Sequence, residues 1–537
     1  MFGGSEVAIP DPIVEGLASG WKHIDASQLS QDQTFEADVV IVGSGAGGGV
    51  AAEILTDAGL TVIIVEGGPL KSSASFNMEE RRAYPNLYHQ AAAMKTKDKA
   101  IGIFQGRAVG GSTTVNWTTC ISTPRPTLDF WAKDKSVKGL SREELDPWFD
   151  KMEKRLNIAE WEHEPNRNNQ ALKLGCEKLG WDYTVIKRNV KGCWNTGYCG
   201  MGCPVNAKQS MLVTTIPAAL DKGATLVSRA KVIELEHHND KISAIKAQAL
   251  NEQMQPTEVK LIFKAKHYII AAGAIHTPTI LLRSNLADPH KLLGKRTFLH
   301  PTLLSGGIFS DPITGHSGAP QSIYSDEFVW QHGAASAELG YKLEVPPVHP
   351  VLIASKTIGY GKTHAALMEQ FNQLQVTIAL IRDGFHEQSQ GGQVQLTDTG
   401  FAIDYPLNET FWRAVRRAFG SMAELQFAAG AKQVLPLTEG APYFNSWKEA
   451  KSAIETLDLG PLKTVIVSAH VMGGCPMGED TKLSMVDSLG NSHYYENLSV
   501  MDGSVFPTSL GANPQLTIYG MTARNATLLA EKLKSSS

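Results

Sequence analysis

The plainest pattern of apolar and polar positions lies between residues 35 and 69, "FEADVVIVGSGAGGGVAAEILTDAGLTVIIVEGGP". "DVVIV" is a continuous β-branched run, as a strand buried on both faces requires. Small residues follow, then an apolar helical stretch with Ala51, Ala52, Ile54 and Leu55 that Gly59 ends, then the buried run "TVIIVE". Strand, helix and strand in that order predict one unit of a parallel sheet. "FKAKHYIIAAGAIHTPTILLRS" (263–284) predicts another strand with a short helix behind it. "NLSVMDGSVFPTSLGANPQLTIYGMTARNATLLAEKL" predicts a short strand, a turn-rich crossing and a closing helix.

The intervening segments have a different texture. Residues 126–190 are charged and helical in tone, as in "SREELDPWFDKMEKRLNI". Residues 301–460 alternate strands such as "QLQVTIALIRD" with one long amphipathic helix, "ETFWRAVRRAFGSMAELQFAAGA". "QVQLTDTGFAIDY" reads as strand–turn–strand and is therefore antiparallel. The predicted fold class is α/β: a Rossmann-like nucleotide domain assembled from separated segments, with an inserted α+β domain built on an antiparallel sheet.

Composition narrows this little. A length of 537 residues favours two to three domains. A net charge of −4 leaves no electrostatic footprint for nucleic acid. The opening "MFGGSEVAIPDPIVEG" has neither a basic start nor an apolar core, so no secretory signal is expected. A cytoplasmic, reducing setting with free thiols follows as the expectation. No uninterrupted apolar run reaches the roughly 18 residues of a spanning helix, although peripheral contact with a membrane surface stays open.

The candidate chemistry begins with Gly43, Gly45 and Gly48, which fit G-x-G-x-x-G at a strand–helix junction. The first permits a tight turn, the second lets backbone reach a pyrophosphate, and the third lets helix and strand pack closely. Glu66, 23 positions beyond Gly43, is placed to accept hydrogen bonds from ribose hydroxyls. A dinucleotide is expected; the fingerprint itself leaves nicotinamide and flavin open. "GIFQGRAVGGSTTVNWTT" (102–119) adds a polar glycine loop able to approach a flat ring.

Gly106, Arg107, Gly110, Gly111, Ser112 and Asn116 in that stretch fit the segment G-R-x-x-G-G-S-S-x-x-N of the glucose–methanol–choline oxidoreductases. The chain resembles that family over nearly its whole length. The resemblance implies an FAD-dependent enzyme that oxidises alcohols. Its domain division would be 36–125, 205–300 and 462–537 for the FAD-binding part and 126–204 and 301–461 for the substrate part, after an N-terminal extension, 1–35. Val115 stands where some members carry a flavin-linking histidine, which implies non-covalent FAD. Val232 and Asp502 fall where the family contacts the adenine and the phosphate–ribityl region. "GAIHTPTILLRSN" ends in Ser284-Asn285 where the family commonly shows Ser-Gly.

"SAHVMGGCPMG" (468–478) holds His470 and Cys475. No second ligand pair stands at a usual spacing, so a metal reading of the two is poor, and a satisfied core histidine is the plainer alternative. The stretch resembles the family's H-x-x-G-T-C-x-M-G, with Gly474 in place of Thr. That resemblance makes His470 the proton acceptor over the flavin and Asn513, 43 residues on, its partner. Asn513-Pro514 also reads as N-cap and first residue of the closing helix. Pro514 and Thr517 are then expected against the cofactor, and Cys475 packs the turn. His300 in "FLHPT" lines the site or is a plain loop histidine.

Cys193, Cys199 and Cys203 in "CWNTGYCGMGC" match no standard metal spacing, and a structural turn near the flavin is the reading, with no metal expected. The following "KQSM" resembles a K-Q-S-T segment of the long-chain alcohol oxidase branch, with Met211 for Thr. The function expected is FAD-dependent oxidation of long-chain or bulky apolar primary alcohols, with oxygen or a quinone-like or protein electron acceptor. Aryl-alcohol or sterol oxidation, a nicotinamide dehydrogenase, and a non-catalytic electron-transfer subunit are the alternatives.

Overall fold

A computed structural model describes residues 9–398 and 400–535. Residues 1–8, and Thr399 in the expected turn of "QVQLTDTGFAIDY", lie outside the described residues.

After a short helix at Pro12–Ala18, strand β1 (Lys22–Asp25) leads to β2 (Gln33–Val42), helix α1 (Ala46–Asp57) and β3 (Val62–Val65). Two short strands follow, β4 (Met94–Lys95) and β5 (Ile101–Ile103). Beyond a helical region, β6 (Thr225–Ser228), β7 (Ala230–His238), β8 (Lys241–Leu250) and β9 (Pro256–Ile270) run in succession into helix α2 (Gly273–Arg283). Next come β10 (Thr302–Ile308), β11 (Tyr341–Glu344), α3 (Pro350–Lys356), β12 (Leu374–Ile381), α4 (Glu409–Ala429) and β13 (Gln433–Pro436). The chain returns through β14 (Ile466–Ser468), β15 (Leu498–Val500) and α5 (Gln515–Ser535).

Two sheets carry the architecture. The first has eight strands in the order β1-β6-β3-β2-β9-β8-β7, with β15 also on β9. Its β1, β6, β3, β2, β9 and β15 are parallel neighbours, and β7–β8–β9 form an antiparallel edge. Val39 to Val42 and Val62 to Val65 are buried, as the unbroken apolar runs required. Lys22–Asp25, left by the sequence reading in an N-terminal extension, is an edge strand here.

The second sheet has seven strands in the order β11-β12-β10-β14-β5-β4, with β13 also on β10. It is antiparallel except where β14 runs parallel to β5. β4, β5 and β14 therefore enter this sheet although their residues fall in the expected cofactor segments. Helix α4 packs across it, started by the Asn408 side chain accepting from the Phe411 amide and stopped by Gly430 at φ +108°. The expected strand–turn–strand is present as Gly392–Thr397 paired antiparallel with Gly400–Asp404, in a separate four-stranded sheet. No helix among the described residues is long and apolar enough to cross a membrane.

Candidate active site

A cavity of about 650 Å³ runs between the two sheets. One lobe lies at the carboxyl end of β2 and β3, where open parallel sheets take nucleotides. Gly43 leaves β2 at φ +96°, and a Cβ there would sit 2.4 Å from the Ala271 carbonyl oxygen. Gly45 opens α1 with no side-chain cap, so the first amides of the helix stay free. Gly48 does not line the cavity; its missing Cβ lets α1 pack on the turn, 1.9 Å from the Gly43 carbonyl oxygen. Gly47, which the fingerprint leaves unassigned, is equally constrained, since its Cβ would meet the Met501 carbonyl oxygen at 1.6 Å.

The glycine loop and the Gly110–Gly111 loop touch. Gly110 donates its amide to Ser44 Oγ at 3.0 Å from behind the wall, and a Cβ on Gly111 would come 2.8 Å from Gly45 Cα. Glu66 lines the lobe, but its carboxylate already accepts from the Ser44 amide at 3.0 Å, the Ser44 hydroxyl at 2.6 Å and the Gly68 amide at 2.6 Å. It braces the loop as well as facing a ribose position, and burial pushes its carboxyl above the usual range. Val232 lines the far end of the lobe with Ala230 and Met254.

The lobe's charge suits a pyrophosphate. Arg107, Lys231 and Arg283 line it, and none of the three forms an ion pair with a described carboxylate. Arg107 Nε is buried without a hydrogen-bond partner. Unpaired cations and the free amides of a helix start are complementary to a dianionic linkage, so the residues present fit a dinucleotide.

The flavin-side segment is fixed by residues distant in sequence. Ser112 Oγ accepts from the Gly106 amide at 3.0 Å, and Asn116 Nδ2 donates to Gln515 Oε1 at 2.6 Å. Lys208 Nζ donates to the carbonyls of Thr114 at 2.5 Å, Cys199 at 2.8 Å and Asn116 at 3.1 Å. This lysine, the first letter of the "KQSM" segment, ties the cysteine-rich turn to the cavity wall. Cys193, Cys199 and Cys203 are half-buried free thiols, and Gly200 and Met201 between them line the cavity. Among the described residues no group of three or more His, Cys, Asp or Glu side chains is placed to hold a metal ion. Asp502 lines the wall too, its carboxylate accepting from the Gly273 and Ser504 amides and the Thr277 hydroxyl.

His470 and Asn513 both face the cavity. His470 follows β14, and its Nδ1 lies 3.2 Å from Nδ1 of His300. Burial, with Lys342 adding to it, pulls the His470 imidazole down to about 4, and burial holds His300 well below its usual value. Both rings are neutral at neutral pH, so a single proton serves the two facing nitrogens. His300 is fully buried and does not line the cavity; it stands behind His470. Its backbone sits at φ +47°, clamped by Asp383, which accepts from the Leu299 and His300 amides and the Tyr405 hydroxyl.

Asn513 has an equally specific support. Its Nδ2 donates at 3.3 Å to Glu344 Oε2, which also accepts from Gln321 Nε2, while Asn513 Oδ1 is buried without a partner. Burial pushes the Glu344 carboxyl up to about 7, against the pull of Lys342. Lys342 has a fully buried side chain that pairs with Asp326 and lies 3.8 Å from the Tyr324 ring centroid. "YKLE" reads as a half-polar strand, yet all four residues are buried. The alternation that normally marks a wet face here marks a polar seam inside the protein.

The closing helix corrects two expectations. Helix α5 begins at Gln515, so Pro514, whose carbonyl accepts from the Ile518 amide at 3.1 Å, opens it in place of Asn513. Thr517 does not line the cavity: Pro514, Gln515 and Ile518 do, and helical periodicity turns Thr517 away to meet the Thr123 hydroxyl at 2.8 Å. Cys475 is buried, off the cavity, with burial pushing its thiol up.

Residues 38–78 match the family model described as an FAD binding domain, which makes the dinucleotide FAD and the protein a flavin-dependent oxidoreductase. Residues 84–302 and 388–522 match the models described as GMC oxidoreductase. The chain belongs to that family and is an FAD-dependent oxidoreductase acting on CH–OH donors. It is 29% identical to a GMC-type oxidoreductase of Sinorhizobium fredii over 93% of this chain and 95% of that one. A long-chain-alcohol oxidase of Arabidopsis thaliana is 28% identical over 91% of this chain and 67% of its own. A formate oxidase variant from Aspergillus oryzae shares the fold, with a TM-score of 0.68 at 14% identity over 94% of this chain and 99% of that one.

Proposed function

We propose that this protein oxidises primary alcohols with a long or bulky apolar chain to aldehydes. The observation that carries the reading is a neutral, half-buried His470 and the Glu344-bound Asn513, both facing one cavity with the dinucleotide lobe. FAD, when bound, supplies the acceptor for the hydride that leaves the carbinol carbon. His470 takes the hydroxyl proton in the tautomer that places its Nδ1 hydrogen on His300, which leaves the lone pair at Nε2 as the free base. Asn513 keeps one amide hydrogen on Glu344 and offers the other to the substrate oxygen as negative charge grows there.

Gly43, Gly45, Glu66, Val232, Arg107, Gly111, Ser112, Asn116, Asp502 and Pro514 would surround FAD, with Gly48 and Gly110 shaping the loops behind them. Val115 offers no atom for a covalent link. Oxygen or a quinone-like or protein acceptor would take the electrons onward. The Arabidopsis relative's name and the apolar wall formed by Leu304, Leu380 and Ile353 support an apolar chain.

The test is anaerobic mixing of the purified holoprotein with a panel of alcohols while the flavin absorption is followed. Wild type is expected to bleach with medium- and long-chain primary alcohols. His470→Ala is expected to keep its flavin and lose bleaching by about 10²–10⁴-fold in rate. Equal bleaching in the two proteins sinks the mechanism.

A further inference from the structure

The lobe beyond His470 has a sheet for a floor and a helix for a roof. Its floor is formed by Val467 of β14, Phe104 just past β5, Thr302 and Leu304 of β10, and Ile378 and Leu380 of β12. The register sets these side by side, Val467 against Gly102 and Thr302, Thr302 against Leu380, and Leu304 against Ile378. Helix α3 supplies the roof through Leu352, Ile353 and Lys356. The first turn of α3 is held by Glu80, which accepts from the Val351 amide at 2.7 Å and the Leu352 amide at 2.8 Å.

Lys356 is out of keeping with this wall. Its Nζ lies 5.2 Å from the Phe104 ring centroid and 3.8 Å from where a Cβ on Gly102 would stand. The glycine leaves room for the ammonium on the sheet. No described carboxylate makes an ion pair with it, and Glu80, the acid that reaches α3, is engaged by amides and by the Tyr84 hydroxyl. Burial, with Lys95 across the strand adding to it, holds the ammonium below its usual value. A partly desolvated cation without a counter-charge is unfavourable until a bound anion joins it.

Spacing defines what could reach both ends. Val467 precedes His470 by three residues, at most roughly 10 Å of chain, and Gly102 lies about 4.8 Å to its side on the next strand. An extended chain of about eight carbons covers such a span at ordinary carbon–carbon bond lengths. We propose that Lys356 anchors a carboxylate at the far end of the substrate, so that ω-hydroxy carboxylates of medium length are preferred over plain alkanols. This rests on the reading of the site as alcohol-oxidising. The chemistry at the carbinol end is unaltered: the C–H bond yields a hydride to FAD, the O–H proton goes to His470, and an ω-oxo carboxylate leaves.

The holoprotein is assayed under an artificial electron acceptor with decanol and with decanoate hydroxylated on its last carbon. Wild type is expected to show kcat/KM for the hydroxy acid about tenfold or more above that for decanol, the size expected of a charge-assisted contact. In Lys356→Met that ratio should fall to about one, through KM for the hydroxy acid, while Lys356→Arg should retain most of it. Flavin content of each variant reports that the cavity has formed. Equal kcat/KM for the two compounds in wild type, or a preference that survives Lys356→Met, overturns the assignment and leaves alcohol oxidation standing. Oxidation of neither compound overturns both.

Discussion

Nδ1 of His300 and Nδ1 of His470 face each other at 3.2 Å, with only His470 reaching the cavity. A hydrogen bond between two neutral imidazoles requires that one nitrogen carry the proton and the other a lone pair. When His470 donates, its outward nitrogen is the base; His300 thereby sets the tautomer of a group it stands behind. His300→Leu should cut kcat by about 10–100-fold, as losing an orienting partner does, with KM little moved. His300→Asn, which can still accept at that position, should recover part of the loss. A kcat unchanged in His300→Leu would show that the pair has no such role.

Glu344 gives the site a second proton-dependent element. Its carboxyl, raised to about 7, changes charge near neutrality directly beneath Asn513. Wild-type kcat should therefore show an inflection near pH 7 that Glu344→Gln removes. Glu344→Ala should be worse than Glu344→Gln across the pH range, because Gln321 and Asn513 would lose their shared acceptor. Matched profiles for wild type and Glu344→Gln would count against this.

Acid should unfold the protein by way of histidines whose protonation the fold disfavours. His267, His276, His349 and His470 are each lowered by burial to about 4. Between pH 6.5 and 4 the unfolded chain binds these protons and the folded one does not, so stability rises with pH across that window and is lost as pH falls through it. The melting temperature should drop most steeply there. His267→Gln, at a ring that meets Ser499 Oγ at 2.9 Å, should flatten the drop.

FAD should leave with the supernatant when the protein is precipitated by acid. Val115 at the family's linking position motivates this expectation. Yellow protein in the washed pellet would contradict it.

The sequence carried the nucleotide lobe well because its constraints are local. A buried β-branched run, a glycine turn and a small-residue helix must adjoin one another in the chain, and Gly43, Gly45 and Gly48 could be read from spacing. Interactions closed by the fold were illegible. Glu66 sits where spacing put it, yet its carboxylate is largely taken up by Ser44 and Gly68. Glu344 and Lys342 look like the outward half of an alternating strand, and only the packing of β11 shows that this face is dry. Thr517 was misplaced because α5 begins one residue later than Asn513-Pro514 suggested, which alters what each turn faces. His300 was visible as a candidate, but its partner lies 170 residues away.

The arrangement of β9 bears on how the protein is made. This strand from the middle of the chain lies beside β2, near the N-terminal end, and also pairs with β15, close to the C-terminal end. During synthesis β2 emerges early and must wait for β9, and β9 for β15 and α5, before the nucleotide lobe has all its walls. Cofactor capture is thus expected to follow synthesis here, and a ribosome stalled short of Leu498 would hold a nascent chain whose cavity lacks the wall that Asp502, Asn513 and Gln515 supply.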